Sequence, residues 1–427
     1  MVKITQDVEA AYEAESSYGN PPDSTLLHFG LLDTFDPRAV EMNITPVPSI
    51  GQSTDAFHAR GPINVTLPIK VACQGTGWQA LLGRAIGGTS FTEGGGTVNY
   101  PLKLTNSVDS IAVLARETGG DYTLVGGVVP NEVTLEADYT TGGYITLDAN
   151  CTAQFTEDSS NGNFSAGFYG DDYSNNAFPA CPTSDPLLPT DLTVSVGLAA
   201  STYGITFDGP TGSYVEIGER FIRLFDSAGP DTSLGSDGTL DLTNSSYNEI
   251  DKLVDEVNND GSWSSTAVYG GSGANDLPPL NLLKGIYSTD AAKTVYATNN
   301  MTSVFNNLKT VSLKIANNNT SIPGKSGTTW LQNYKIARGK ADITLDLTMT
   351  AEDETYYDLY KAGTVIPLIR LDFGSSGSIA LTNGTITSFS RPLSPGGEIV
   401  DTMSIKFRGA GDYKDFSSYA ISADWTL

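Results

Sequence analysis

Two stretches of the chain, 278 positions apart, share one pattern of apolar and polar residues. In each stretch every second residue is apolar: Val65, Leu67, Ile69 and Val71 in the first, and Ile343, Leu345, Leu347 and Met349 in the second. This alternation predicts a β-strand with one buried face. The triplets Ala59-Arg60-Gly61 and Ala337-Arg338-Gly339 precede the two strands. The chain therefore repeats a loop-and-strand unit.

A helical pattern follows each strand. The segment TGWQALLGRAIGG places Trp78, Leu81, Leu82 and Ala85 on one predicted face. The segment AEDETYYDLYKAG does the same with Tyr356, Leu359 and Tyr360; Thr350 and Asp353 resemble a capping box, and Gly363 is the expected helix stop. Residues 122–155 and 379–409 then both predict a strand, a glycine turn, a strand, a Gly-Gly pair and a strand. We therefore expect two copies of one mainly-β domain.

The intervening residues have no counterpart in the repeat. A turn-rich entry is followed by predicted strands at 192–197, 203–207, 214–217 and 221–225. The segment SSYNEIDKLVDEVNND predicts an amphipathic helix with a capping box from Ser246 to Glu249, and Trp263 opens a closing strand. The expected domains are residues 1–155, an inserted α+β module at 156–299, and residues 300–427.

Composition and charge narrow the possible functions. The chain has 427 residues with 45 Gly and 21 Pro, which favours strands and turns. Its formal net charge is −25, so the surface should repel nucleic acid backbones and anionic membranes. Residues 156–300 hold 20 acidic and 5 basic side chains, whereas 301–427 hold 12 of each. We expect the acidic insert to face outward, and the acidity is typical of proteins made in a halophilic organism.

The sequence offers little catalytic or metal-binding chemistry. Three cysteines are too few for a disulfide framework and lack metal-ligand spacing. The Gly324-Lys325-Ser326 of SIPGKSGTT resembles a phosphate loop, but Asn319 stands where the motif needs glycine, so a hairpin loop is expected. The sequence suggests no Ser or Cys nucleophile paired with His28 or His58. The acidic residues at 226–241 do not have the spacing of an EF-hand calcium loop. No catalytic, cofactor-binding or metal site and no cofactor are predicted.

The N-terminal residues lack the apolar core of a signal peptide, and no apolar run approaches a membrane span. We therefore expect synthesis in the host cytoplasm and no membrane partner. Sequons at Asn43, Asn64, Asn150, Asn163, Asn244 and Asn383 are attributed to chance in a chain rich in Asn, Ser and Thr.

The stretch AAYEAESSYGNPPDSTLLHFG (residues 10–30) resembles the start of major tail tube proteins of long-tailed double-stranded DNA viruses. Their Glu-x-Ser/Thr-x-Tyr-Gly pattern before a proline is matched by Glu15, Ser17, Tyr18, Gly19 and Pro21, with one residue fewer before the proline. The segment ARGKADITLDLTMTAEDETYYDLYKAG resembles the strand-and-helix unit of the same family. The resemblance covers the two repeats and leaves the insert out.

This resemblance implies a mainly-β fold of two tandem tail-tube-like β-sandwich or half-barrel domains, each with a flanking α-helix. It further implies a non-enzymatic virion protein of the viral tail, whose homotrimeric, pseudo-hexameric rings stack into a tube for DNA ejection. The implied partners are other copies of the chain, the tape measure protein, and the tail terminator or tip proteins. Viral DNA would pass through the lumen without specific binding. Residues Gln52–His58 and Gly324–Ile336 are the expected inter-ring loops.

Two other functions fit the same residues. The chain could be a capsid decoration or host-adhesion protein with β modules, in which case the purified protein should be a soluble monomer that binds cells. It could instead be a carbohydrate-active enzyme of the β-sandwich type, which sugar turnover would reveal. Spontaneous formation of tubes would favour the tail tube over both.

Overall fold

A computed structural model gives the architecture of the chain. It describes residues 9–15, 26–37, 40–47, 57–87, 96–99, 109–116, 122–158, 178–198, 200–232, 238–268, 278–298, 301–303, 308–326, 329–393, 397–409 and 416–425. These residues are predominantly in β-strands, so the expected mainly-β class is confirmed.

The strands and helices fall into three groups along the chain. The first group is β1 (Glu9–Ala14), β2 (Leu27–His28), β3 (Leu32–Phe35), β4 (Val40–Val47), β5 (Phe57–Ala72), α1 (Gly77–Ile86), β6 (Gly96–Asn99), β7 (Ile111–Arg116), β8 (Tyr122–Asp138), β9 (Thr146–Ala153) and β10 (Phe155–Asp158).

The second group is β11 (Thr193–Gly197), β12 (Ala200–Asp208), β13 (Tyr214–Ile217), β14 (Phe221–Asp226), β15 (Gly229–Pro230), β16 (Thr239–Asp241), α2 (Ile250–Asn259), β17 (Ser264–Val268), β18 (Gly285–Ser288) and β19 (Lys293–Thr298). Short 3-10 turns lie at Pro189–Asp191, Pro279–Asn281 and, in the third group, Gly374–Ser376.

The third group is β20 (Thr302–Ser303), β21 (Leu308–Ala316), β22 (Thr320–Ser326), β23 (Thr329–Ala337), β24 (Asp342–Thr350), α3 (Thr355–Ala362), β25 (Val365–Asp372), β26 (Ser378–Ser390), β27 (Val400–Phe407), β28 (Phe416–Ser418) and β29 (Ile421–Trp425).

Two groups of strands share one pairing scheme. In the first, β5 pairs with β9, β9 with β8, and β8 with β7 and β10. In the second, β24 pairs with β27, β27 with β26, and β26 with β25 and β29. β1 lies beside β7 and β2, as β11 lies beside β25 and β20. We call residues 9–158 copy 1, and residues 193–197 with 301–425 copy 2.

The two copies also share their irregularities. A register shift in the pairing with the central strand falls between Leu32 and Thr34 in copy 1 and between Leu308 and Thr310 in copy 2. A second shift falls between Pro130 and Glu132 and between Ile386 and Ser388. Because a β-bulge redirects a strand locally, bulges at matching positions give the copies the same bend.

Copy 2 is discontinuous in sequence. Thr193–Gly197 lies within the range expected for the insert, yet it pairs with β25 and β20 of copy 2. The chain then leaves copy 2 at Gly197 and returns near Thr298, whose side chain lies 2.8 Å from where a Cβ on Gly197 would stand. The domain limits drawn from the sequence remain a prediction. In the structure the inserted residues interrupt copy 2 between its strands β11 and β20, which pair with each other.

Two main hydrophobic cores lie in the described residues. One unites the buried faces of copies 1 and 2, including Leu67, Trp78, Leu345 and Trp425. The other belongs to residues 203–297, which we call the insert module, and packs α2 against its sheets. The two copies are therefore joined by shared apolar burial, whereas the insert module has a core of its own.

The helices differ from their predicted form at the ends. α2 begins at Ile250 and α3 at Thr355, and neither has a side-chain cap hydrogen bond, so both predicted capping boxes are wrong. Asp353 instead accepts a 2.9 Å hydrogen bond from the Thr355 amide. Gly363 does end α3, in the left-handed conformation that glycine adopts readily.

Candidate assembly interface

The joint between the copies continues one sheet across both. β8 of copy 1 pairs antiparallel with β21 of copy 2 from Glu132 opposite Ala316 to Asp138 opposite Thr310. Lys314 and Glu132 add an ion pair of 2.7 Å across the ladder. The sheet therefore runs unbroken in the order β5, β9, β8, β21, β24, β27 and β26.

Helix α1 of copy 1 is buried on every side by this joint. The sequence predicted one apolar face, yet all ten residues of α1 are buried. The Trp78 ring lies 5.5 Å from that of Phe373 and 5.1 Å from that of Trp425, both in copy 2. Gln79 donates a 3.2 Å hydrogen bond to the Ser376 carbonyl. The second face of α1, which would be polar on an isolated domain, is thus a contact surface for copy 2.

The end of α1 is held by an arginine of copy 2. The guanidinium of Arg338 donates hydrogen bonds to the carbonyls of Ala85 (3.2 Å), Ile86 (2.7 Å) and Gly87 (3.0 Å). The last carbonyls of a helix have no partners within it, and a cation there also interacts favourably with the helix dipole. Arg338 is the arginine of the repeated Ala-Arg-Gly triplet, so the repeat marks a residue of the joint.

Gly87 makes room for this contact. A Cβ at Gly87 would lie 1.6 Å from a terminal nitrogen of Arg338, and its φ of +71° suits glycine. Any other residue at this position would therefore displace the guanidinium from the end of the helix.

The outer face of the continuous sheet is polar. Apolar residues of β5, β8, β9, β21, β24 and β27 point into the core, and the residues between them are Thr, Ser, Asn and charged side chains, with Pro68 in β5. The acidic side chains on this face are Glu132, Glu136, Asp138, Asp148, Asp342 and Asp346, and the basic ones are Lys70, Lys314 and Lys406. All three lysines are ion-paired. This surface is hydrophilic and acidic on balance.

The insert module is anchored on copy 2 by a buried charge cluster. Glu219, whose side chain is 1% exposed, accepts a 2.5 Å hydrogen bond from Arg370 Nε of β25. Lys284, fully buried, lies 3.7 Å from the same carboxylate and donates to the Leu280 carbonyl at 2.8 Å. Burial lowers the pKa of Lys284 to about 8, against the opposing effect of Glu219. No local sequence pattern predicted this cluster, because its members are far apart in the chain.

Within the described residues, the candidate chemical motifs of the sequence do not come together in one site. Gly324-Lys325-Ser326 ends strand β22 of a two-stranded hairpin rather than preceding a helix, so the segment belongs to a hairpin as expected but lies in its strand instead of its loop. His28 Nδ1 accepts a 2.9 Å hydrogen bond from the Gly30 amide, and burial lowers the pKa of His28. The side chain of His58 lies outside the described residues.

The described cysteines and acidic residues form no metal centre. Cys73 and Cys151 are buried and Cys181 is exposed, all as free thiols. Part of the acidic loop at 226–241 lies outside the described residues, and no group of three or more metal-ligating side chains occurs in the described parts of the chain. The described helices include none long and apolar enough to cross a bilayer.

The expected inter-ring loops correspond to two hairpins. β4 with the start of β5 forms one, and β22 with β23 forms the other. They occupy equivalent places in the two copies: each hairpin leads into the central strand, which is the second half of β5 in copy 1 and β24 in copy 2. The tip at residues 48–56, with most of the Gln52–His58 loop, lies outside the described residues, as do residues 327–328 within Gly324–Ile336.

Comparisons with known proteins give limited information. No protein-family model matches the chain, and no curated protein does. Thirteen chains of solved structures match, one of them in a structure described as the tail of an empty GTA particle computed with helical refinement and C6 symmetry. That chain is 15% identical, with 26% of this chain and 84% of that chain covered and a TM-score of 0.22. A likeness at this TM-score carries no argument about the present chain.

Proposed function

We propose that this chain is a structural subunit of a viral tail, which self-assembles into stacked rings that form the tail tube. One observation carries the proposal: two copies of one domain are already joined through a continuous sheet, and its two far edges, β3 of copy 1 and the end of β26 of copy 2, correspond to the two strands that meet in that joint. A strand edge left unpaired is a template for another chain, and ring closure removes it.

The ring is proposed to contain three chains. Each chain supplies two equivalent units, so three chains give a pseudo-hexameric wall. The fused joint halves the number of associations per ring and so lowers their entropic cost. Native mass spectrometry of isolated rings should give three chains. Six chains in a ring would contradict the two-units-per-chain arrangement.

The polar face of the sheet is the proposed lumen wall. Its hydroxyl and amide side chains with an acidic excess would not hold phosphates, so DNA could slide without specific binding. The insert module is compatible with this orientation, because Arg370 and Asp372, which bind it, belong to β25, a strand that contributes no residue to the polar face. The module would then decorate the outside.

Electron microscopy of the purified protein tests the proposal. Negatively stained tubes with stacked rings are the expected result, with tape measure and terminator or tip proteins as the partners that would set length and ends. A monomer that binds cells would favour the decoration or adhesion function, and turnover of sugars would favour an enzyme. The high-salt host is proposed from charge alone and is tested below by salt titration.

A further inference from the structure

The far end of copy 2 presents the surfaces that copy 1 buries in the internal joint. None of the residues of α3 is fully buried, although its equivalent α1 is buried throughout. Tyr357 and Tyr360 of α3 are each 38% exposed. Leu393 is 76% exposed, whereas Ala137, at the equivalent place beyond the second bulge, is 3% exposed. Apolar side chains grouped this way mark an interaction surface.

The backbone at this end repeats the geometry of the internal joint. Residues 388–390 of β26 pair with β27 alone among the described strands. Residues 132–136 of β8 would likewise pair with β9 alone if β21 were removed. The equivalent of β21 in copy 1 is β3, which pairs with β5 alone among the described strands. One chain therefore carries both halves of a second joint, one at each end.

The C-terminal end of α3 resembles that of α1 in its backbone conformation. Gly363 has a φ of +61°, as Gly87 has +71°. Where Arg338 fills the space beside Gly87, no atom of the described residues lies within 4 Å of an added Cβ at Gly363. The space beside Gly363 is therefore open to a guanidinium.

We infer that a second copy of this chain binds the far end of copy 2 through a repetition of the internal joint, with the neighbouring chain's Arg60 bound at the carbonyl end of α3. Arg60 is the arginine of the first Ala-Arg-Gly triplet and lies in β5; its side chain is outside the described residues, so its role follows from the sequence repeat. The equivalences also place Leu393 opposite the neighbouring chain's Phe35, as Ala137 lies opposite Val311. This lateral joint rests on the proposed ring assembly.

Two matched variants test the joint. Arg60→Ala should leave the urea midpoint of the isolated chain unchanged and raise the dissociation constant between chains at least about tenfold, in sedimentation velocity. Arg338→Ala should lower the urea midpoint, because it opens the joint within one chain. Association of Arg60→Ala as strong as the wild type would overturn the inference, as would a fall in its urea midpoint equal to that of Arg338→Ala.

A disulfide gives a direct readout. With Cys181→Ser as background, Phe35→Cys combined with Leu393→Cys should form covalent oligomers on mild oxidation. The proposed joint would extend the pairing of β26 to Leu393, and residues opposed in a β-ladder lie within disulfide range. Either cysteine alone should give no ladder of trimers. Absence of crosslinks in assembled protein would overturn the pairing. Small crosslinked rings that never stack would support the lateral joint and contradict the tube. Normal tubes formed by Arg60→Ala would support the tube and contradict the lateral joint.

Discussion

Single side chains add to the β18–β28 backbone pairing in holding the insert module on copy 2, and Glu219 is central among them. Its carboxylate lies between Arg370, Lys284 and the Ser378 hydroxyl, with almost no exposure to water. Removal of one partner from a buried ion cluster leaves the others without compensation, at a cost of about 3–5 kcal/mol. Glu219→Ala should therefore lower the free energy of unfolding by that order in a urea titration. Glu249→Ala, which breaks a solvent-exposed pair with Lys252, should change it by less than about 1 kcal/mol.

Lys284 should make stability depend on pH. Its folded-state pKa of about 8 is below its ordinary value of 10.5, mainly because of burial. Between these values the unfolded chain holds a proton that the folded chain has released. The free energy of unfolding should therefore rise with pH across this window, by up to about 1.4 kcal/mol per pH unit. Urea titrations from pH 8 to pH 9.5 should show this rise in the wild type and not in Lys284→Met; parallel profiles would contradict it.

The secondary-structure elements and their pairings show how far local sequence patterns determine the fold. The alternation at 65–71 and 343–349 predicted two equivalent strands, and the spacing at 250–257 predicted α2, because each signal lies within a few neighbouring residues. The pairing of β11 with β25 and of β6 with β29 joins residues more than 150 positions apart, which local periodicity cannot express. The same limit applies to the candidate interface. The repeated arginine was visible in the sequence, but its contact with a helix end in the other copy was not.

The insert module should be removable as a unit. Its ends meet beside Gly197 and Thr298, and it has its own core. A short Gly/Ser linker in place of residues 199–297 should leave β11 in copy 2 and still permit assembly, because the proposed joints belong to the two copies. Circular dichroism would check folding and electron microscopy would check assembly. A folded variant that never assembles would mean that the module is part of the wall.

The charge of the whole molecule should set the salt dependence of assembly. Copy 1 and the acidic middle of the chain carry most of the net charge of −25 and would lie beside their own images in neighbouring chains. Screening lengths fall from about 30 Å at 0.01 M to about 3 Å at 1 M, while apolar burial persists. Light scattering at fixed protein concentration should therefore rise with salt. Disassembly on going to molar salt would instead indicate attractive ion pairs at the joints and would remove the basis for a high-salt host.

The internal joint has a mechanical consequence for the proposed ring. Every second seam of the wall would lie inside one polypeptide, held by the β8–β21 ladder, the Trp78 cluster and the covalent chain. The intervening seams would be held by non-covalent contacts alone. Under bending or internal pressure such a wall would yield at alternate seams, so fragments of a ruptured tube would contain whole chains with paired units. The tube would have three lines of weakness along its length where a wall of single-domain subunits would have six.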